Sequence, residues 1–242
     1  MPDARRELRL AKLTAAAVEA GGYDKAILPV GATESHGAHL PMGTDSIAAL
    51  AIATRFAEEL GHTIVLPELQ YGVSFHHSAF PWSISLEPET LTAAVFDILS
   101  SLVRQGIRKL LVVSAHDGNP AAIESACRSV LSRHGVAVAL FSAWQTKARS
   151  VLGTDLDHGG RSETSLVLFS DPETVDLSRA MDLSSEPEAQ PVQVFRMYER
   201  ISPHGYAGRP SEGSADEGKR ILDALAAIVI PALRRLDAEQ WK

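Results

Sequence analysis

A single cysteine in 242 residues leaves no partner for an intrachain disulfide, so this chain holds its fold by burial alone. Cys127 falls in a predicted helix with Ile123, Val130 and Leu131 at helical spacing, which reads as a buried, inert thiol. No apolar run approaches the roughly twenty residues of a membrane span. The N-terminal MPDARRELRL has no apolar core of a signal peptide, and both absences predict a cytoplasmic protein. A basic excess is missing too. With 23 Lys and Arg against 30 Asp and Glu, the net charge of −7 and the lack of a basic stripe argue against nucleic acid or an anionic membrane as partner. There is no internal repeat, and the one loop-rich stretch, Asp171 to Pro191, reads as a surface excursion. Length is sufficient: a chain of 242 residues buries about 70% or more of its unfolded surface, so residues 1–242 are read as one domain.

What the chain does have is a set of carboxylates and imidazoles in three short polar stretches. Glu34, His36 and Asp45 lie in GATESHGAHLPMGTD, His116 in SAHDGN, and Glu163 in DHGGRSETS. Neutral imidazole and carboxylate together suit zinc, manganese or iron(II). If the segment around Glu34 and His36 is extended, the two side chains emerge on the same side. Asp45 follows after Gly37, Pro41 and Gly43. One carboxylate bridges two ions about 3.5–4 Å apart through its two oxygens, the usual arrangement for activating a shared water, so a dinuclear hydrolase site is the leading reading. The alternative for Asp45 is an N-cap on a helix starting at Ser46.

The flanking sequence predicts an α/β fold, a single domain with a mainly parallel sheet flanked by helices. Continuous apolar runs at 26–30 and 108–114 read as buried parallel strands leading into the first cluster and into His116, with further strands at 63–66 and 136–141. Ligands in open α/β sheets sit beyond the carboxyl ends of such strands. Helices are predicted over 46–60, 90–105 and, after Asn119-Pro120, up to Arg133. Asn119 reads as a possible N-cap. Ser214 and Glu217 have capping-box spacing for a last helix that Pro231 is expected to kink or interrupt.

The run from Leu28 to Asp45, LPVGATESHGAHLPMGTD, resembles the signature of the creatininase family, the creatinine amidohydrolases. The resemblance continues through Tyr71-Gly72-Val73-Ser74, His77, Phe80-Pro81, Ser114 to Asn119, His158-Gly159 and Glu163-Thr164-Ser165, and spans Leu28 to Gly218 in the usual order. It implies a parallel α/β sandwich, metal-dependent cleavage of amide bonds, and a homo-oligomer, a hexamer. Family members open cyclic amides, remove formyl groups from formamides, or cut short peptides. The expected substrate is thus a small-molecule amide, and the expected cofactor is a pair of divalent metal ions, zinc first, with manganese or iron(II) as alternatives.

Carried over position by position, the resemblance puts one metal on Glu34, Asp45 and His116 and the second on His36 and Asp45. Creatinine-cleaving members complete the second site with a Glu two residues after the third-motif histidine. Gly118 stands there, so creatinine itself is not the expected substrate. Glu163 is the candidate for the missing carboxylate and for a catalytic role, or else an outer-shell acceptor or helix-start residue. His158 resembles the family's catalytic histidine, and Asp155, Asp157 and two glycines place it in a tight polar turn. His77, Trp82, Trp144 and Asp117 are candidate substrate contacts. Trp82 stands where relatives read Gly, so it narrows the pocket, stacks on a planar ligand, or packs between subunits. His76 stands where relatives usually carry Glu. Arg209 either clamps a substrate anion or pairs with Asp216. Two other readings stay open: the same site in a non-hydrolytic amide-forming or cyclising step, and a non-catalytic assembly or ligand-binding subunit.

Overall fold

The computed structural model describes residues 7–144, 158–183, 195–239 and 241. Four strands, β1 (Lys25–Val30), β2 (Thr63–Val65), β3 (Lys109–Ser114) and β4 (Val138–Ser142), pair in parallel in the order β2-β1-β3-β4. Their apolar residues alternate between two cores because strand side chains point to opposite faces. Ala26, Leu28, Val30, Leu110 and Val112 pack on one face with α3 (Pro88–Arg104) and α4 (Pro120–His134). Ile27, Val65, Leu111 and Val113 pack on the other with α2 (Thr44–Leu60), α5 (Arg161–Ser170) and α6 (Ala215–Ala238). A short α1 (Ala15–Gly21) precedes β1, and its Val18 joins the α3/α4 side. The result is a three-layer parallel α/β sandwich, as expected. None of the described helices is long and apolar enough to cross a membrane.

Several local expectations are corrected. α2 begins at Thr44 with Gly43 as its flanking residue, so Asp45 lies inside the first turn and caps nothing. Asn119 makes no capping bond either. Its side-chain amide accepts from Val73 N at 2.9 Å and donates to Gly31 O at 2.9 Å, stitching three loops together at the carboxyl end of the sheet. Only half of the capping box forms: Ser214 Oγ accepts from Glu217 N, while the Glu217 carboxylate turns to Arg161 and Arg220. Pro231 does not interrupt α6, which runs on to Ala238. A proline inside a helix costs about 3 kcal/mol, but Ile230 and Leu233 beside it are buried against the core and hold the helix to its course. Cys127 is half-buried rather than fully buried, and burial pushes its thiol up to about 11, so it stays protonated.

Candidate metal centre

Three loops at the carboxyl edge of the sheet deliver the chemistry. The segment after β1 carries Glu34 and His36, the first turn of α2 brings back Asp45, and the loop after β3 supplies His116. Glu163 enters from the first turn of α5. All five are buried, none more than 4% exposed. Their ligating atoms fall into two overlapping groups, Glu34/Asp45/His116 and His36/Asp45/Glu163, each with its atoms within 4.8 Å of one another. Asp45 belongs to both. Its Oδ1 lies 3.2 Å from His36 Nε2 and its Oδ2 lies 3.0 Å from His116 Nδ1. Glu34 Oε1 sits 3.3 Å from His116 Nδ1, and Glu163 Oε2 sits 3.5 Å from His36 Nε2.

The backbone sets which nitrogen of each imidazole faces the carboxylates. His116 Nε2 donates to Val73 O at 2.9 Å, and His36 Nδ1 lies 3.2 Å from Glu34 O. A neutral ring that donates through one nitrogen presents a lone pair at the other. The lone pairs of His116 Nδ1 and His36 Nε2 therefore point at carboxylate oxygens, an arrangement repulsive by itself and favourable around a cation. Glu34 Oε1 and Oε2 and Asp45 Oδ2 are buried and accept no hydrogen bond from any described residue. Buried carboxylates without partners cost several kcal/mol unless charge compensates them.

The titration behaviour points the same way. Burial alone would lower the His36 imidazole, but the charges of Asp45 and Glu163 outweigh it and raise it to about 10. His116 is likewise driven well above its usual range, Glu34 and Asp45 overriding the effect of burial. Burial would raise the Glu34 carboxyl, yet the neighbouring His116 holds it well below the usual carboxylate range. A cavity whose field draws protons onto two buried imidazoles is one that calls for positive charge, and divalent cations fit this donor set.

His158 closes the site from the start of the α5 segment. Its Nε2 bonds Ser35 O at 2.8 Å, which leaves Nδ1 facing Glu34 Oε1 at 3.8 Å. Its ring lies 4.2 Å from that of His36. His77 is buried with Nε2 3.6 Å from Glu34 Oε1, and its ring is stacked on Tyr198 at 4.4 Å. Burial pushes His77 down to about 2, so it stays neutral. His76 stacks over His116 at 5.7 Å and sits edge-on to Phe75. Glu34, His76 and His77 form a further close group.

The remaining candidates lie farther out. Trp144 follows β4, packs partly buried against the α2/α6 core, and donates its indole N–H to Ala115 O, one residue before His116. Asp117 is exposed beside His116. Trp82 is 83% exposed and makes little contact within its own chain. Arg209 pairs with Glu212 at 2.9 Å on the surface, not with Asp216. Asp155 and Asp157 lie outside the described residues. Gly118 has no room for a side chain: a Cβ there would sit 2.1 Å from Val73 O and 2.6 Å from His116 Nε2. Sequence reasoning missed Tyr198 and the carbonyls of Val73 and Ser35. A lone tyrosine and backbone oxygens carry no spacing signal.

The comparisons with known proteins point to one family. The family profile described as Creatininase, creatinine amidohydrolase, matches residues 11–233. The chain is 33% identical over 232 residues to a creatinine amidohydrolase of Pseudomonas putida, covering 86% of this chain and 88% of the relative. It is 32% identical over 206 residues to a mycofactocin precursor peptide peptidase of Mycobacterium ulcerans, covering 81% and 79%. Two solved creatininase structures, one described as a Mn form and one as a Zn-Zn form, superpose with TM-scores of 0.81 and 0.80. Both are 31% identical and cover 95% of this chain and 98% of their own.

Proposed function

The chain belongs to the creatininase family and is a hydrolase, and on that premise we propose that it cleaves the C–N bond of a small amide at a dinuclear metal centre. The observation that carries this is Asp45, whose two oxygens are divided between His36 and His116. One ion would be held by Glu34, Asp45 and His116 and the other by His36, Asp45 and Glu163. Bound there, zinc, manganese or iron(II) would supply an activated water and polarise the amide carbonyl.

The chain's own residues supply the rest. His158 Nδ1, kept neutral, takes the proton of the attacking water and returns it to the departing nitrogen. Ser35 O holds the opposite nitrogen and so keeps the ring turned inward. We assign substrate orientation to His77, whose Nε2 lies 3.6 Å from Glu34 Oε1, and to Trp144, Asp117 and Trp82 farther out. The substrate is a cyclic amide, a formamide or a short peptide. The peptidase among the relatives supports the last of these, and the closed space at Gly118 argues against creatinine itself. The chain works as a homo-oligomer, a hexamer, consistent with exposed Phe75, Trp82 and Phe195.

Asp45→Ala should lose both ions and all turnover, whereas His36→Ala should lose mainly one. Elemental analysis of the two variants checks this, and full occupancy in Asp45→Ala would overturn the bridging role.

A further inference from the structure

His39 belongs to the same polar run as Glu34 and His36 yet pairs with none of the three carboxylates of the centre. It is 1% exposed, and its Nε2 donates to Gly159 O at 2.8 Å, across 120 residues of sequence. Thr164 Oγ1 lies beside the same pair, 3.3 Å from His39 Nε2 and 3.4 Å from Gly159 O. On its other side the His39 ring packs against Tyr206 at 4.9 Å, and Tyr206 is tied through its hydroxyl to Met181 O at 2.9 Å.

The far side of the same residue faces the metal centre. Gly159 N–H donates to Glu163 Oε2, the oxygen that lies 3.5 Å from His36 Nε2. Gly159 has φ +70, and a Cβ there would meet Tyr206 Cβ at 2.8 Å and His36 O at 2.9 Å, so only glycine brings its backbone this close. The Gly159 N–H thus helps to aim the Glu163 carboxylate, and the Gly159 carbonyl is held in turn by the buried His39, with Thr164 Oγ1 beside it.

We propose that His39 is a positioning residue for the second metal site. Through Gly159 it fixes Glu163 against His36 and Asp45, and it leaves the site of Glu34, Asp45 and His116 alone. The proposal rests on the dinuclear reading given above. Groups that orient metal ligands typically change affinity by about 10–100-fold when removed. His39→Leu removes the donor at similar volume, and His39→Gln keeps an N–H able to reach Gly159 O.

The test is Mn²⁺ titration of chelated protein, followed by calorimetry and elemental analysis, with thermal unfolding of each metal-free variant alongside. His39→Leu should keep one ion at wild-type affinity and bind the other about 10–100-fold more weakly, with the metal-free variant still unfolding in one cooperative transition. His39→Gln should restore the second ion. Should His39→Leu fail to fold, His39→Asn, too short to reach the carbonyl, gives the same reading. Two ions at unchanged affinity in the Leu or Asn variant overturn the role of His39, as does equal weakening of both ions or failure of Gln to restore the second. A wild-type chain that takes up fewer than two ions overturns the dinuclear reading instead.

Discussion

Burial pushes the His158 imidazole down from 6.5 to about 4, with the charge on His36 acting in the same direction and Glu34 and Asp45 opposing it. A histidine neutral at pH 7 is ready to accept a proton, and His158→Ala should therefore keep its metal while losing about two to four orders of magnitude in turnover. Loss of metal instead would make His158 a ligand. Stability follows the same shift. Between pH 6.5 and about 4 the unfolded chain binds the extra proton, so this contribution is complete above that window and lost as pH falls through it. Urea unfolding of chelated protein at several pH values should show a shallower loss in His158→Asn. The grouping of Glu34, His36, Asp45, His116 and Glu163 was legible in the sequence because metal chemistry restricts residue type. Tyr198 and the link from His39 to Gly159 were not, because they arise where loops distant along the chain meet.

Among the elements, the strands were readable because both faces of the sheet are buried, which leaves continuous apolar runs with little ambiguity. Helix starts were less so. Asp45 and Asn119 have the composition of caps, yet a cap and a ligand or loop clamp use the same short polar side chains, and only packing chooses between them. The turn at Phe80–Ser83 shows the converse case, where composition and conformation disagree. Ser83 N bonds Phe80 O at 3.2 Å, Pro81 precedes Trp82, and Trp82 has φ +66. Such a turn favours glycine at that position. A left-handed conformation costs an ordinary residue about 1–2 kcal/mol, and an indole 83% exposed recovers little of it within the chain. Relief of the left-handed cost, less the roughly 0.5–1 kcal/mol of extra chain entropy that glycine brings, means that Trp82→Gly should raise stability by about 1 kcal/mol or less while changing which amides are cleaved. Urea unfolding, sedimentation and a small amide panel read this together. Dissociation of the variant would place Trp82 between subunits, and an unchanged amide profile with unchanged assembly would remove it from both roles.

Across the whole molecule, the metal centre joins segments that the sheet alone does not tie together. Glu34 follows β1, Asp45 opens α2, His116 follows β3 and Glu163 opens α5. The three carboxylates repel one another in a buried volume, so the cations proposed there would act as cross-links between the two helices and the carboxyl edge of the sheet. An ion that binds only the folded state stabilises it by about 2.7 kcal/mol at one hundred times its dissociation constant. For a chain of 242 residues that corresponds to a rise of roughly 5–10 °C in melting temperature per site. Chelated protein should melt lower by at least this amount, and returning Mn²⁺ or Zn²⁺ should restore the melting temperature progressively with ion concentration. Asp45→Asn, which removes the shared charge, should make the melting temperature nearly indifferent to metal. Calorimetry across a metal titration measures both. A wild-type melting temperature that ignores metal would mean that protons, held on His36 and His116, already balance the buried carboxylates and that the cluster is not a cation site.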